Sequence, residues 1–438
     1  MPPPVELRIE KLVYGGDGLA RLPPAARGGR AALPAGKIGA QGYEIPQGGP
    51  PPGSEFGASM PPRASTAGRL TSGTRAAGAL GPAPTIDARR QAVFVPFTLP
   101  GELVRVELSP PARGRVAARL LQVLEPAPGR IAPACEYFLR CGGCHWQHAT
   151  PERQLELKRE ILLETLQRTG GLQWQGPVAL HAAAAWGYRN RIRLQAVPGV
   201  GVGYYQHGSR RVLPISHCPI ASPALNRGLA ELAAQPPLRR EQIELAVDNA
   251  DAGLALEGPL TFEVAGFLYR VSPGSFFQVN RFLAGELVAA ALGDASGHAA
   301  LDLFSGVGLF ALPLAARFQR VEAVESDPAA AADLRHNARA AAVQVAQLDA
   351  LHYLRGRAPS PLDLVLADPP RAGLGPELVA ALLALAPPRL HLVSCDPATL
   401  GRDLRPLLAA GYQLRALHLF DLFPQTYHIE TVVHLARA

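Results

Sequence analysis

Alternating apolar and polar residues predict short strands at both ends of the first 125 residues. Residues 5–22 alternate in this way around a glycine-rich turn, which predicts two strands joined in a hairpin. Residues 93–108 and 115–126 continue the same pattern. The region 1–125 is therefore predicted to be a small β-domain.

The segment between these strands has a different composition. Residues 23–90 consist mainly of Gly, Pro, Ala, Ser, Thr and Arg. Such a segment cannot bury enough apolar surface to offset the entropy lost on ordering, so we predict a disordered insertion. The flanking strands are expected to form a five-stranded, OB-like barrel of the kind that binds oligonucleotides.

Helical periodicity begins after residue 150. Apolar residues recur at helical spacing within 151–170, and the pair Gly170–Gly171 ends the pattern, which predicts a helix. Residues 178–270 return to alternation and predict a mainly antiparallel sheet. We therefore expect a central domain over 126–272, whose helix is a candidate to pack on the domain that follows.

The pattern changes again from residue 299. Buried strands, glycine-rich turns and helices follow one another repeatedly to the end of the chain. This alternation is typical of a parallel, doubly wound sheet. The predicted fold class is α/β, with a Rossmann-like domain over 273–438.

Charge is distributed unevenly along the 438 residues, whose net charge is +7. The region 1–125 has 15 Lys and Arg against 9 Asp and Glu, and 126–272 has 15 against 12. The region 273–438 has 13 against 15. A basic front end suggests a polyanionic partner, although an ordinary solvated surface is the alternative.

The lack of recognisable targeting signals in the sequence favours the cytoplasm. The N-terminus has no apolar core of the kind found in signal peptides, and no uninterrupted apolar stretch is about 18 residues long. We therefore expect a cytoplasmic enzyme without membrane spans, with reduced cysteines, and monomeric by default.

The five cysteines lie where cysteine can do chemistry. Cys135, Cys141 and Cys144 form C-x5-C-x2-C, Cys218 stands in SHCPIA, and Cys395 follows a strand in VSCDPAT. This pattern suggests four ligands for one metal centre and one nucleophile, the alternative being small thiols packed in cores. C-x2-C alone fits zinc or iron–sulfur, and the irregular spacing favours a loop-held cluster.

The segment LDLFSGVG (301–308) predicts a strand followed by a nucleotide-binding turn. Gly306 in its G-x-G allows a ligand to approach the backbone, which alone is a weak signal. Glu325 ends the next strand, where a carboxylate can bind ribose hydroxyls, and Asp349 follows the third strand, where it suits an adenine amino group. This spacing resembles S-adenosylmethionine (SAM) sites more than the NAD fingerprint, and a glycine-rich turn with solvated acids is the alternative.

Three further residues are candidates for catalysis. Asp368 in VLADPPRAGL lies at the C-terminal end of a strand, on the ligand-facing edge of a parallel sheet. Cys395 precedes a predicted helix whose N-terminus favours the thiolate. Glu430 lies in an apolar strand, where its pKa is expected to be raised and suited to removing a proton. The alternatives are a buried structural cysteine and an edge-strand glutamate that faces water.

Taken together, these motifs resemble the RNA (uracil-C5)-methyltransferases, and most closely the RumA-type enzymes that act on 23S ribosomal RNA. SFFQVN (275–280), DLFSGVG, DPPRAGL, SCDPATL and HIET occur in the family's order. The resemblance covers nearly the whole chain and implies an N-terminal TRAM barrel, a central iron–sulfur region and a SAM domain. The insertion at 23–90 departs from the family.

The resemblance also implies roles for individual residues. It implies a [4Fe-4S] cluster on the quartet Cys135, Cys141, Cys144 and Cys218. It implies SAM contacts from Gln278, Phe304, Glu325, Asp349 and Asp368. Cys395 would be the nucleophile that adds to uracil C6, and Glu430 the base. Phe276 or Phe277 is a candidate to stack on the target base, with a place in the core as the equal alternative.

Several functions stay open at this point. Methylation of a uridine in 23S rRNA is favoured, because relatives with both cluster and barrel are mostly ribosomal. The same chemistry on the T-loop uridine of tRNA is the close alternative. A non-catalytic RNA-binding or iron–sulfur assembly factor is disfavoured by the intact Cys395 and Glu430, and a small-molecule methyltransferase by the basic barrel.

Overall fold

The computed structural model describes residues 3–22, 43–44, 91–112, 115–248, 251, 254–255 and 258–437. Within these ranges the chain forms three large sheets and one two-stranded sheet. Along the same ranges, no helix combines the length and the apolar character needed to cross a bilayer. The α/β class predicted from the sequence is confirmed.

The N-terminal sheet has seven strands, in the order β1-β6-β7-β5-β3-β2 with β4 paired to β7. They are β1 (Val5–Arg8), β2 (Lys11–Leu12), β3 (Gly18–Arg21), β4 (Tyr43–Glu44), β5 (Ala92–Val95), β6 (Leu103–Leu108) and β7 (Val116–Glu125). The first region contains three strands where two are predicted. The reason is that the chain changes partner between β1, which pairs with β6, and β2, which pairs with β3.

The predicted insertion at 23–90 falls almost entirely outside the described residues. Only β4 within it is described, and this two-residue strand pairs antiparallel with β7. The composition of the segment did not indicate a strand there. The prediction of disorder for its other residues stays a prediction.

Helix α1 spans Pro151–Gly170, which confirms the predicted helix. The Thr150 side chain accepts a hydrogen bond from Arg153 N, and Pro151 occupies the first turn, where its missing N–H costs nothing. Gly171 ends the helix in the left-handed conformation at φ 67°. The helix packs on a later helix so closely that a Cβ on Gly170 would lie 2.7 Å from the carbonyl oxygen of Gly401.

The central sheet is antiparallel, in the order β11-β10-β9-β12-β13. Its elements are β9 (Arg191–Val197), β10 (Gly201–Tyr205), β11 (Val212–Pro214), α2 (Pro223–Ala233), β12 (Glu241–Val247) and β13 (Leu254–Ala255), and β8 (Ala179–His181) precedes them. Ile192, Leu194 and Leu245 from its strands pack on Leu225 and Leu229 of α2. The prediction of a mainly antiparallel sheet is confirmed.

The C-terminal sheet has eight strands, in the order β18-β17-β16-β19-β20-β22-β21-β8. The elements of this half are β14 (Leu260–Val264), β15 (Phe267–Val271), α3 (Ala284–Leu292), β16 (Gly297–Leu303), α4 (Ala311–Ala315), β17 (Phe318–Glu325), α5 (Pro328–Asn337), a 3-10 turn (Ala338–Ala340), β18 (Val343–Gln347), α6 (Ala350–Gly356), β19 (Leu364–Ala367), α7 (Gly375–Leu385), β20 (Arg389–Ser394), α8 (Pro397–Ala409), β21 (Tyr412–Phe420) and β22 (Glu430–Arg437). Strands β16 to β20 are mutually parallel, and β22 runs antiparallel between β20 and β21. The predicted Rossmann-like arrangement is thereby confirmed.

Two elements that precede residue 273 pack with the C-terminal half. Strand β8 forms the edge of the eight-stranded sheet beside β21. The β14–β15 hairpin places Phe262 and Tyr269 in one core with Leu287 of α3. The boundary at 272 therefore does not coincide with the limits of the packed units, because local alternation cannot tell which sheet a strand joins.

Candidate active site

Strand register brings the predicted nucleophile and base together. Strands β20 and β22 are antiparallel, with Ser394 opposite Thr431, so the next residues outward are Cys395 and Glu430. Asp368 directly follows the neighbouring strand β19, and its N–H donates to Leu303 O at 3.3 Å. Residues far apart in sequence thus meet at the carboxyl edge of the parallel strands, where ligands bind in such sheets.

This group is poorly solvated. Glu430 is only 5% exposed, and burial, followed by the charge of Asp368, raises the pKa of its carboxyl. Burial likewise raises the pKa of the Asp368 carboxyl. Both groups therefore hold protons more readily than ordinary surface acids do, which suits proton transfer near neutral pH.

In the free protein, burial and nearby acids act against the activation of the thiol that is expected from the helix N-terminus. Burial, Glu430 and Asp368 raise the pKa of Cys395 to about 12. The N-terminus of α8 is instead capped by Asp396, whose Oδ1 accepts from Ala398 N at 2.9 Å and Thr399 N at 3.0 Å. Desolvation and two nearby carboxyls outweigh the helix dipole here.

Two residues missed in the sequence analysis complete the surroundings of the thiol. The positive charge of Arg371 opposes part of the rise in the pKa of both Cys395 and Glu430. Its Nη2 lies 3.4 Å from His428 Nδ1. Tyr14, from the N-terminal sheet, donates to Asp396 Oδ2 at 3.2 Å, with Cys395 O at 3.4 Å. The arginine is visible in D-P-P-R, whereas no sequence signal identifies a tyrosine 381 residues away.

The residues predicted to bind SAM lie along the same edge of the sheet. Gly306 N donates to Glu325 Oε2 at 2.8 Å, which ties the G-x-G turn to the end of β17. Phe304 adopts a left-handed φ of 62° at this turn. Asp349 accepts from Leu351 N at 3.0 Å and so caps α6, and backbone N–H bonds led by that of His352 lower the pKa of its carboxyl.

The SFFQVN segment separates its side chains between core and surface. Phe277 is buried against Phe262 and Tyr269, which decides for a core role at that position. Phe276 is 65% exposed. Gln278 is buried, and its backbone O accepts from Asn190 Nδ2 at 3.2 Å.

Asp302 is a functional candidate that the sequence analysis did not select. It is fully buried in β16, and neither carboxylate oxygen has a hydrogen bond of normal geometry among the residues that the structure describes, although Ser305 and the backbone of Ala311 interact with the carboxyl. Burial raises the pKa of its carboxyl. A buried carboxylate without a normal hydrogen bond is rare unless a ligand pairs with it. SAM carries positive charge, which makes it a suitable partner. The signal was available: an acid within the apolar strand LDLF.

The four remaining cysteines occupy one region of the central domain. Cys218 raises the pKa of Cys135, Cys141 and Cys144 electrostatically, although burial is the largest cause in each case. The pKa values of Cys141 and Cys144 rise to about 11 and about 12. The donor chemistry fits a thiolate-bound centre, but within the described ranges no three His, Cys, Asp or Glu side chains are arranged to hold a metal ion.

Comparisons with known proteins agree with this geometry. Residues 360–438 match the family described as tRNA (Uracil-5-)-methyltransferase. The 23S rRNA (uracil(1939)-C(5))-methyltransferase RlmD of Alkalilimnicola ehrlichii is 35% identical over 79% of this chain and 92% of its own length. RlmD of Shewanella amazonensis is 32% identical over 77% of this chain and 89% of its own length.

A solved structure has a similar fold. The tRNA (uracil-54, C5)-methyltransferase of Pyrococcus abyssi, in complex with S-adenosyl-L-homocysteine, has a TM-score of 0.62 and 25% identity. The match covers 78% of this chain and 95% of that protein. The chain therefore belongs to the SAM-dependent RNA (uracil-C5)-methyltransferase family.

Proposed function

We propose that this enzyme methylates C5 of a uridine in 23S rRNA through a covalent adduct with Cys395. Two relatives above 30% identity are named for 23S rRNA, which supports this substrate. The matched family description and the archaeal neighbour are named for tRNA, so the T-loop uridine is the second candidate. The single observation that carries the mechanism is the position of Cys395 opposite Glu430 across β20 and β22.

In the proposed reaction, uracil C5 is made nucleophilic by addition of a thiolate to C6. The Cys395 thiol gives up its proton to a neighbouring carboxylate, the Sγ–C6 bond forms, and the C5–C6 electron pair moves toward O4. When bound, SAM would supply the electrophilic methyl group to which C5 bonds, and S-adenosylhomocysteine would be left. Glu430 then removes the C5 proton, and the returning electron pair expels Cys395 by breaking the Sγ–C6 bond.

The neighbours of the thiol support this sequence of steps. Arg371 is the cation that favours the charged forms of Cys395 and Glu430. Asp368 is proposed to accept a hydrogen bond from the uracil edge. Phe276 is proposed to stack on the RNA, because it is a large exposed aromatic ring in the segment that also contributes Gln278. Gln278, Phe304, Gly306, Glu325 and Asp349 are proposed to bind SAM.

We also propose that Cys135, Cys141, Cys144 and Cys218 hold a [4Fe-4S] cluster with a structural role. Their electrostatic interaction and their loop positions support this, and binding of iron would deprotonate the thiols. The purified protein is expected to contain iron and sulfide and to absorb visible light. Cys141→Ser is expected to lose the bound iron and sulfide and the visible absorption. Zinc in place of iron would contradict the assignment.

The N-terminal sheet is proposed to be a TRAM domain that binds RNA, over 1–125. The regions 126–272 and 273–438 are proposed as the other two domains, with β8 and the β14–β15 hairpin of the second packing on the third. The basic excess of region 1–125 supports RNA binding, since phosphate contacts provide most non-specific affinity, but it comes mainly from residues 23–90, with 8 Lys and Arg against 3 Asp and Glu. We propose that the enzyme acts in the cytoplasm, because its proposed substrate is ribosomal RNA, and that it is a monomer.

Methyl transfer from labelled SAM tests the proposal. Unmodified 23S rRNA and tRNA are offered separately to the wild type and to Cys395→Ala, and 5-methyluridine is mapped in each RNA. We expect one modified uridine region in 23S rRNA and none with Cys395→Ala. Label in tRNA alone would establish the second candidate, and unchanged methylation by Cys395→Ala would exclude the covalent mechanism.

A further inference from the structure

A cavity of about 270 Å³ lies where four parts of the chain meet. It is lined by residues 15–17 and 96–97 of the N-terminal sheet, by His145 after the cysteine motif, by His207 and by Tyr427. Backbone pairing holds the second and third parts together, since His207 N donates to Arg140 O at 2.8 Å. The cavity is distinct from the SAM residues at the ends of β16, β17 and β18.

Flat rings form much of its wall. The rings of His145 and Tyr427 meet edge to face, with centroids 4.6 Å apart. Phe97 and His207 have centroids 5.0 Å apart, and the two imidazoles are separated by 6.2 Å. Such rings are the surfaces on which unstacked RNA bases pack.

The wall also carries polar groups that can bind the edge of a base. His145 Nδ1 is buried and has no hydrogen-bond partner among the residues described. Asp17 lines the cavity and interacts electrostatically with His207 and Arg115. An unpaired buried nitrogen in a cavity that a carboxylate also lines is unfavourable in an empty packing defect but suits a polar ligand.

The cavity adjoins the proposed catalytic loop. Tyr427 lies three residues before Glu430 and packs edge to face against Tyr14 at 6.2 Å. Tyr14 in turn bonds to Asp396, the residue after Cys395. Trp146 Nε1 donates to Gly16 O at 3.1 Å and fixes the turn that carries Asp17. A nucleotide close to the target uridine can therefore reach this cavity.

We propose that this cavity binds a second unstacked nucleobase of the RNA substrate. The base carries an exocyclic amino group that donates to Asp17, so it is adenine, guanine or cytosine and not uracil. Its ring packs against the aromatic rings that line the cavity. The inference rests on the proposed function and adds to it a site that helps select the RNA sequence around the target.

Abasic scanning of the RNA tests the site. A short RNA that contains the mapped uridine is prepared with each flanking nucleotide in turn made abasic, and its Kd is measured with S-adenosylhomocysteine present. The proteins are the wild type, Asp17→Asn, His207→Ala and the control His298→Ala, whose exposed imidazole bonds to Gln319 at the other end of β16.

At one flanking position, base removal is expected to weaken binding by about 5- to 150-fold in the wild type and in His298→Ala. The same removal is expected to have little further effect in Asp17→Asn and His207→Ala, because their cavity no longer holds the base. Equal losses in all four proteins at every position would overturn the inference while leaving methylation intact. Failure of the wild type to methylate any RNA would instead overturn the proposed function itself.

Discussion

Replacing Lys158 by methionine tests how α1 supports the segment that leads to Glu430. Lys158 Nζ donates to Asp421 Oδ1 at 2.6 Å and to Phe423 O at 3.1 Å. The two side chains are 0% and 5% exposed. Asp421 begins the connection between β21 and β22, and Glu430 is the first residue of β22.

The expected magnitude follows from the burial of this pair. Methionine keeps most of the Lys158 stem but leaves the Asp421 carboxylate buried without its cation, which costs about 3–5 kcal/mol. Burial lowers the pKa of Lys158 in spite of the attraction of Asp421, so desolvation outweighs the pairing. We therefore expect Lys158→Met/Asp421→Leu to recover most of the loss.

Urea unfolding followed by tryptophan emission measures the free energy of unfolding of each variant. Trp146 is a suitable reporter, because Lys158 Nζ lies 5.9 Å from the centroid of its ring. Hydrogen exchange then shows whether the amides of 421–429 open with those of α1. Glu156→Gln is the matched control, because its ion pair on the same helix is exposed and should change stability by less than about 1 kcal/mol. A loss as small as the control, or a double variant as unstable as the single one, would refute the reasoning.

Three other variants test the site and the sheet beside it. Glu430→Gln should leave a protein–RNA adduct that survives a denaturing gel, because the C5 proton stays in place; normal turnover would contradict its role as the base. Burial lowers the pKa of His391 to about 3 and also lowers the pKa of its stacked neighbour His434, so the folded state binds fewer protons than the unfolded one. Stability should thus fall as pH drops below about 6.5, by about 1.4 kcal/mol per unit for each histidine, and urea midpoints for His391→Phe should show a shallower slope. Asp302→Asn should weaken SAM binding about 10- to 150-fold by calorimetry, because a bond to a charged group is lost, whereas Asp363→Asn at the opposite edge should not.

The sequence by itself determined the larger elements and their order. Helix α1 follows from apolar spacing and from Gly171, which sets its end through a left-handed backbone within the same few residues. The G-x-G turn and the cysteine after β20 likewise predicted a ligand site at one edge of the sheet, because such motifs and the strands that carry them are encoded locally.

The surroundings of the reactive side chains were decided by the tertiary structure alone. The raised pKa of Cys395 depends on burial and on Glu430 and Asp368, which reach it only through strand register. The bond from Tyr14 depends on how the N-terminal sheet docks, and the place of β8 depends on pairing with β21. Periodicity extends over a few residues, whereas desolvation and charge act between residues hundreds of positions apart, so their outcome was fixed only when the chain had folded.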